Sequence, residues 1–183
     1  MKQSKNIEIK AKSSDHTFVR EKLLSLNADY KGLDHQIDTY YKSPVGRLKM
    51  REGNIENNLI HYNRSNKSGP KQSDFTLFKT DNPKGLKDIL AKSMGEKVVV
   101  DKKREIYFID HVKFHIDLVK NLGTFVEIEV TDMKGEKTIE DLQSTCEKYM
   151  KILNIQESDL LTVSYSDLLA VSGHRSNESL PFV

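Results

Sequence analysis

The chain has 183 residues, of which 37% are hydrophobic and 31% charged, with 29 basic and 27 acidic side chains and a formal net charge of +2. This length suits one domain with a hydrophobic core and is short for two. The near-balance of charge excludes recruitment of a polyanion or a membrane by net charge, so any electrostatic function depends on local arrangement. The single cysteine, Cys146, excludes an internal disulfide.

No segment of the sequence has the character of a signal peptide or a membrane anchor. The beginning, MKQSKNIEIK, lacks the apolar stretch of a signal peptide. No apolar run approaches the ~20 residues of a membrane-spanning helix. We therefore expect a cytoplasmic protein that has no membrane partner.

The first half of the chain is rich in strand patterns. In residues 6–12 the apolar Ile7, Ile9 and Ala11 alternate with polar residues at the strand period of two. A helix should follow, capped by Ser14 or Asp15, with Gly32 beyond its end. Further strands are predicted over 36–41, 47–51, 59–64 and 74–79, the last two separated by the loop SNKSGPK.

The second half contains the other helices and the longest strand patterns. A helix is predicted from Asn82 and Pro83 to near Gly95, with a buried face formed by Leu86, Ile89 and Leu90. Residues 97–109 predict one long strand, and 113–130 predict two strands around a loop with Gly123. A capping box at Thr138 and Asp141 predicts a third helix with Cys146 on its apolar face, and 158–170 predict a short final helical piece.

These elements predict an α+β fold of about eight mostly antiparallel strands with helices outside the sheet. We expect one domain over residues 1–172 and a disordered tail over 173–183, whose sequence has no structural period.

The charges on the strands are segregated by sign. Basic residues occupy one face of 47–51, at Lys49 and Arg51, whereas acidic residues occupy one face of the last strand, at Glu127 and Glu129. The polar face of a single antiparallel strand ordinarily meets water. Solvated faces usually mix both signs, however, so the segregation indicates two separate charge-specific roles.

In a closed barrel, charges of both signs could face one interior and bind the same ligand. About eight strands enclose an interior that can hold one small ligand. If the charged faces point inward, a phosphate chain with a divalent metal satisfies both signs, because Lys and Arg bind phosphate oxygens and carboxylates hold Mg²⁺ or Mn²⁺. The sequence has no glycine-rich phosphate loop of the G-x-x-x-x-G-K-[ST] kind, so side chains would bind the phosphates.

The sequence also resembles the CYTH family, the triphosphate tunnel metalloenzymes, which includes class IV adenylate cyclases and thiamine triphosphatases. The resemblance extends over about residues 6–169. It is carried in family order by the segments NIEIK, DTYY, RLKMRE, YNR, KRE at 103–105, FHIDL and VEIEV. The stretches GRLKMRE and SGPKQSDF are especially similar to the class IV adenylate cyclase subgroup.

The resemblance implies a closed eight-stranded antiparallel barrel, a tunnel with flanking helices, and a set of roles inside it. The implied ligands of Mg²⁺ or Mn²⁺ are Glu8, Asp117, Glu127 and Glu129. The implied triphosphate ligands are Lys10, Lys49, Arg51, Arg64 and Arg104, and Lys71 in the loop is a further candidate. Lys10 and Tyr40 are the implied catalytic residues, which activate the attacking water in family hydrolases.

Two further residues belong near this set. Asn6 stands where the general family pattern has its first glutamate, which removes one carboxylate that a second metal ion would need. His115 shares a strand face with Asp117, so it is either a proton-transfer group or an interior histidine bonded to a carboxylate.

Three functions fit these observations. The first is a metal-dependent triphosphatase that hydrolyses inorganic or organic triphosphate, and the second is an adenylate cyclase that forms cyclic AMP and pyrophosphate from ATP. The third is a polyphosphate-binding module without catalysis, which the acidic set disfavours because it would repel a polyanion in the absence of metal. We expect a small-molecule triphosphate substrate, no nucleic-acid partner, and a monomer or homodimer.

Overall fold

The computed structural model describes residues 5–64, 70–132 and 136–175, and the side chains of Lys5, Arg64, residues 71–74 and residues 172–175 are not part of that description. Most of the predicted loop SNKSGPK and of the predicted tail 173–183 therefore lies outside the described residues. In the described ranges no helix is both long and apolar enough to cross a membrane.

The predicted α+β class with eight antiparallel strands is confirmed. The strands are β1 (Lys5–Lys12), β2 (Asp29–Tyr41), β3 (Arg47–Glu52), β4 (Asn58–Arg64), β5 (Lys71–Lys79), β6 (Glu96–Ile109), β7 (Val112–Val119) and β8 (Gly123–Asp132). Their hydrogen-bonded order is β1-β5-β4-β3-β2-β6-β7-β8, and β1 pairs with β8 as well, which gives a closed barrel. The contact between β1 and β5 is short, with two registered pairs, Ile7 with Gln72 and Glu8 with Lys71.

In the described part of the chain four α-helices accompany the sheet: α1 (His16–Ser25), α2 (Pro83–Met94), α3 (Ile139–Ile152) and α4 (Tyr165–Arg175). The predicted caps are confirmed. Asp15 accepts a hydrogen bond from the backbone N–H of Phe18, and Asn82 accepts one from that of Gly85. Thr138 and Asp141 form the reciprocal capping box of α3.

Three predicted elements differ from the structure. Strand β2 begins at Asp29 and not at residue 36, because Gly32, at φ +126°, allows a register shift against β6 and lets the pairing continue past it. Helix α2 has no buried residue, and Ile89, predicted on its buried face, is 64% exposed. The predicted piece 158–170 is instead a short 3₁₀ turn at Glu157–Asp159 followed by α4.

The hydrophobic core lies outside the barrel, between its outer surface and the helices α1 and α3. On β1, β7 and β8 the outward-facing residues are apolar, and Ile9, Phe114 and Ile128 are at most 1% exposed. Leu142 and Cys146 of α3 join this core, as the helical period predicted for Cys146. Because this outer face supplies the core, the inner face of the same strands is available for polar residues.

The segment before α4 lies against one end of the barrel. The backbone of Leu160 pairs with that of Ala11 of β1 as an isolated antiparallel β-bridge. The backbone N–H of Leu161 donates to the carbonyl of Lys10 at 2.8 Å. Tyr165, at the start of α4, packs on Phe125 of β8 with 4.9 Å between ring centroids. These contacts fix the Tyr165 hydroxyl inside the barrel end.

Replacement of Phe114 by alanine tests the position of the core. Phe114 is fully buried and packs edge-on against Tyr149 of α3 at 4.9 Å, so Phe114→Ala should lower the free energy of unfolding by about 3–5 kcal/mol. Urea denaturation measures this change. The control Ile89→Ala, at an exposed position, should change it by less than about 0.5 kcal/mol. Equal effects at the two positions would contradict the outer core.

Candidate functional site

The barrel encloses one cavity, here called the central cavity, that gathers most of the residues singled out in the sequence. Its lining includes the predicted Glu8, Lys10, Tyr40, Lys49, Arg51, Arg104, Glu127 and Glu129. The predicted Asp117 is fully buried beside this lining and binds Arg104. The backbones of Arg64 and Lys71 end β4 and begin β5, but their side chains lie outside the described residues.

Strand register brings the charged residues together. Directly opposite residues in an antiparallel pair lie on the same face of the sheet. Glu129 of β8 faces Glu8 of β1, and Glu127 faces Lys10. On the other side of the barrel, Arg51 of β3 faces Asp38 of β2. The parity seen in the sequence therefore places both charge signs on the inner face.

Asp38 is the centre of the basic side of the cavity. It is 2% exposed and accepts hydrogen bonds at 2.8–2.9 Å from Lys49, from Lys102 and from Nε and Nη2 of Arg51. Burial alone would raise the pKa of Asp38, but the charges of Arg51, Lys102 and Lys49 hold it well below its usual range. One carboxylate thus holds three basic side chains at the same place.

Lys102 is the most deeply buried of these cations. Burial lowers its pKa to about 7, against the attraction of Asp38, and the neighbouring charges of Arg51 and Arg104 lower it further. An additional anion bound here would favour the protonated form. Lys102 is therefore a group whose charge should respond to phosphate binding.

A second cluster forms around Arg104 and two carboxylates. Arg104 donates to both oxygens of Asp117, at 2.7 and 2.6 Å, and to Glu127 at 2.6 Å. Lys10 binds the other oxygen of Glu127 at 2.9 Å. Burial opposes ionisation, yet Lys10 and Arg104 hold the pKa of Glu127 well below its usual range, and Arg104 lowers that of Asp117. Both carboxylates are charged and engaged with cations.

The predicted metal ligands fit a divalent cation unequally. Burial raises the pKa of Glu129 to about 7, Lys113 opposes this, and the nearby charges of Glu8 and Glu127 add to it. A cation shared by Glu8, Glu127 and Glu129 would remove this repulsion, but Glu127 would first have to exchange its contacts with Lys10 and Arg104. Within the described residues, no three His, Cys, Asp or Glu side chains are already arranged to hold one.

Asp117 fits the predicted role of metal ligand less well. One of its oxygens accepts from Arg104, and the other accepts from Arg104 and from the hydroxyl of Tyr165 at 2.9 Å. These bonds would have to open before Asp117 could reach a metal. In this arrangement the carboxylate orients Arg104 and Tyr165.

His115 is an interior imidazole in contact with this cluster. Its Nδ1 lies 3.3 Å from Glu127, and burial together with the charge of Arg104 lowers its pKa to about 3. The ring is therefore neutral near pH 7. Of the two interpretations of the sequence, an interior histidine bonded to a carboxylate agrees with this geometry.

One end of the cavity carries a residue that the strand patterns did not indicate. Glu56, in the loop between β3 and β4, accepts from Arg51 at 2.9 Å and from Lys113 of β7 at 2.6 Å. The fully buried Asp34 positions this loop by accepting the backbone N–H groups of Ile55 and Glu56. A loop glutamate has no periodicity, so sequence reasoning had no signal for it.

Asp38 and Lys102 were also missed, although each belongs to a segment that carries the family resemblance or adjoins one. Asp38 begins DTYY and shares parity with Tyr40, and Lys102 shares parity with Arg104 in KKRE. Because side chains alternate between the two faces of a strand, Asp38 lies on the same face of β2 as Tyr40, and Lys102 on the same face of β6 as Arg104. The sequence therefore did contain a signal for both residues.

The two predicted catalytic residues, Lys10 and Tyr40, both line the cavity but have different partners. Lys10 pairs with Glu127, and its ammonium lies 4.6 Å from the centre of the Tyr165 ring. Burial and the charge of Asp38 raise the pKa of Tyr40 to about 12. Tyr40 therefore remains protonated at neutral pH.

Comparison with known proteins assigns the family. The family model described as the CYTH domain matches residues 4–165, so this chain belongs to the CYTH family. A Methanocaldococcus jannaschii protein named "Putative adenylate cyclase MJ0240" is 26% identical over 182 residues, covering 88% of this chain and 97% of that protein.

Solved structures share the fold. The PH1012 protein from Pyrococcus horikoshii OT3 is 23% identical with a TM-score of 0.78, covering 89% of this chain and 98% of that one. HpAC1 from Hippeastrum, described as having a dominant triphosphatase activity, is 15% identical with a TM-score of 0.59, covering 97% and 98%. At these identities the likeness concerns the fold.

The state of Lys102 gives a testable consequence. Because its pKa is about 7, the Lys102 amine is largely neutral at pH 8. A bound triphosphate should raise this pKa, so the protein should take up a proton when the triphosphate binds. Lys102→Arg keeps the charge at all pH values and should take up fewer protons, by up to about one per site. Calorimetry of tripolyphosphate binding with EDTA, in buffers of different ionisation enthalpy, measures this number.

Tripolyphosphate itself can also gain or lose protons on binding. Subtracting the proton uptake of Lys102→Arg from that of the unaltered protein removes this contribution. Lys103→Arg is the matched control, because Lys103 is the exposed neighbour on the outer face of β6. It should behave as the unaltered protein does. Equal proton uptake in all three proteins would show that Lys102 is already charged before the anion binds.

Proposed function

We propose that this protein is a metal-dependent triphosphatase that binds a small triphosphate in the central cavity and hydrolyses it to release phosphate. The observation that carries the proposal is the pairing of two opposed surfaces in one enclosed space. Lys49, Arg51 and Lys102 converge on one side, and Glu8, Glu127 and Glu129 lie on the other. A phosphate chain that carries a divalent cation is complementary to both.

The phosphates would replace Asp38 as the partner of its three cations, at least in part. Arg51 presents a planar fork and suits two phosphate oxygens, whereas Lys49 and Lys102 act as point charges. Because the cations are held in place before the substrate enters, little reorganisation is needed on binding. Such preorganised charge is the main source of transition-state stabilisation in phosphoryl transfer.

Glu8, Glu127 and Glu129 would hold Mg²⁺ or Mn²⁺. When bound, the ion supplies Lewis-acid polarisation and charge neutralisation of the phosphoryl oxygens. The residues of the chain do the rest of the positioning. Arg104, oriented by Asp117, faces the developing charge, and Lys10 lies beside the carboxylate side, where an attacking water would meet the terminal phosphorus.

The attacking water must be oriented, and its proton leaves on the phosphate that it forms. We assign the activation of this water to Lys10 and Tyr40, as the resemblance to the family implies. Since Tyr40 is protonated in the free cavity, it contributes by donating to the substrate or to the water. Lys10 would first have to leave Glu127, which a cation at that carboxylate would favour by competing for the same oxygens.

Adenylate cyclase is the second candidate function, and the name of the Methanocaldococcus jannaschii relative favours it. The same cradle would serve, with the ribose 3′ oxygen as nucleophile and pyrophosphate as the leaving group. Hydrolysis requires an ordered water, whereas cyclisation requires an ordered nucleoside. We place hydrolysis first because a cavity lined by so many ionic groups readily admits water.

Product analysis distinguishes the two reactions. The purified protein is incubated with tripolyphosphate, ATP or thiamine triphosphate in the presence of Mg²⁺ or Mn²⁺. The proposal predicts orthophosphate and the matching diphosphate, with no turnover when EDTA is added. Cyclic AMP with pyrophosphate from ATP would establish the cyclase instead, and EDTA-resistant binding without turnover of any substrate would indicate a binding module.

Glu129→Gln tests the acidic side of the cavity with little change in shape. It removes a carboxylate that the cation would share, so turnover should fall by at least about a hundredfold, as for loss of a metal ligand, while the fold is retained. Mn²⁺ binding, followed by electron paramagnetic resonance, should weaken in parallel. The control Glu147→Gln alters an exposed residue of α3 and should change neither quantity. Near-normal turnover and Mn²⁺ affinity in Glu129→Gln would remove Glu129 from the metal site.

A further inference from the structure

One part of the central cavity is apolar. Strands β4 and β5 line it with Ile60, Tyr62, Phe75 and Leu77, here called the apolar wall. In the register of the barrel, Ile60 faces Leu77 and Tyr62 faces Phe75, so the four side chains form two adjacent cross-strand pairs on the inner face.

The apolar wall is only partly buried, although Tyr62 packs against a small cluster that contains Tyr40 and Tyr165. Leu77 is 43% exposed, and the other three residues are partly exposed, whereas the apolar residues of the outer core are almost completely buried. Inside a cavity that is otherwise ionic, apolar surface left in contact with water is unfavourable and gains stability when a ligand covers it. The wall therefore has the character of a binding surface.

The wall directly adjoins the cations proposed to bind phosphate. In the register between β3 and β4, Lys49 faces Ile60 and Arg47 faces Tyr62. The Lys49 ammonium lies 5.9 Å from the centre of the Tyr62 ring and 5.4 Å from that of Tyr40. A single ligand can thus contact the cations with one end and the apolar wall with the other.

The size of the wall limits what it can hold. Neighbouring inner-face residues on one strand are about 7 Å apart, and paired residues across the two strands about 5 Å apart. This area matches one planar ring system and is too small for a second protein or an extended chain. Ile60, Phe75 and Leu77 carry no polar side-chain atoms, so they recognise apolar surface and not the hydrogen-bonding pattern of a particular base.

We infer that the apolar wall binds a planar organic group attached to the triphosphate, and that this protein selects organic triphosphates over inorganic triphosphate with little discrimination between bases. The inference rests on the proposed triphosphate site and names its substrate class. It assigns specificity to Ile60, Tyr62, Phe75 and Leu77 and charge recognition to the cations beside them.

The substitution Leu77→Asn tests this assignment, with Phe78→Asn as the matched control. Phe78 is the next residue on β5, is 61% exposed and lies on the opposite face of the strand. Dissociation constants for tripolyphosphate, ATP, CTP and thiamine triphosphate are measured by calorimetry with EDTA, so that no turnover interferes. Leu77→Asn should weaken binding of the three organic ligands about fivefold and leave tripolyphosphate unchanged, because only part of one leucine is covered. Phe78→Asn should change none of the four.

Unchanged tripolyphosphate affinity also shows that the variant is folded. Equal weakening of all four ligands in a folded variant, or unaltered affinity for the organic ligands, would overturn the inference. If Leu77→Asn does not fold, Ile60→Ala is measured against the same four ligands and the same criteria. The proposed hydrolysis is tested separately, since it would be disproved by an absence of turnover when metal is present. Selective binding is measured with EDTA, where no reaction takes place, so the two failures can be distinguished.

Discussion

The pairing of buried charges inside the barrel is the interaction on which the rest of the structure depends. Cations buried without partners would destabilise a fold by several kcal/mol each. Here Asp38 holds Lys49, Arg51 and Lys102, and Glu127 with Asp117 holds Arg104. The protein can therefore fold with an ionic interior, and the proposed phosphate chain would enter by exchange with existing partners.

This interior is possible because β1, β7 and β8 carry the main apolar core on their outer faces. Their outward-facing apolar residues pack against α1 and α3, and a smaller cluster that includes Phe125 and Tyr165 lies at one end of the barrel. The cavity is then divided between cations, carboxylates and the apolar wall of β4 and β5. Each surface would match a different part of the proposed organic triphosphate.

Much of this arrangement could be predicted from the sequence. The alternation of Ile7 and Ile9 with Glu8 and Lys10 determines two faces, and the segregation of signs indicates which face is functional. Periodicity could not show that Asp34 would position Glu56, because loop conformation follows from distant contacts. Nor could it show that Asp117 is committed to Arg104 and Tyr165, since the register between strands and the placement of α4 are tertiary properties. The exposed face of α2 was mispredicted for the same reason.

The central claim is that the inner charges of the barrel bind a phosphate chain. A crystal structure of the protein with tripolyphosphate and Mn²⁺ tests it most directly. The account predicts phosphate density between Lys49, Arg51 and Lys102, with metal density next to Glu8 and Glu129 and the contacts of Asp38 lengthened. Phosphate bound only on the outer surface, with the contacts of Asp38 and Glu127 unchanged, would contradict it.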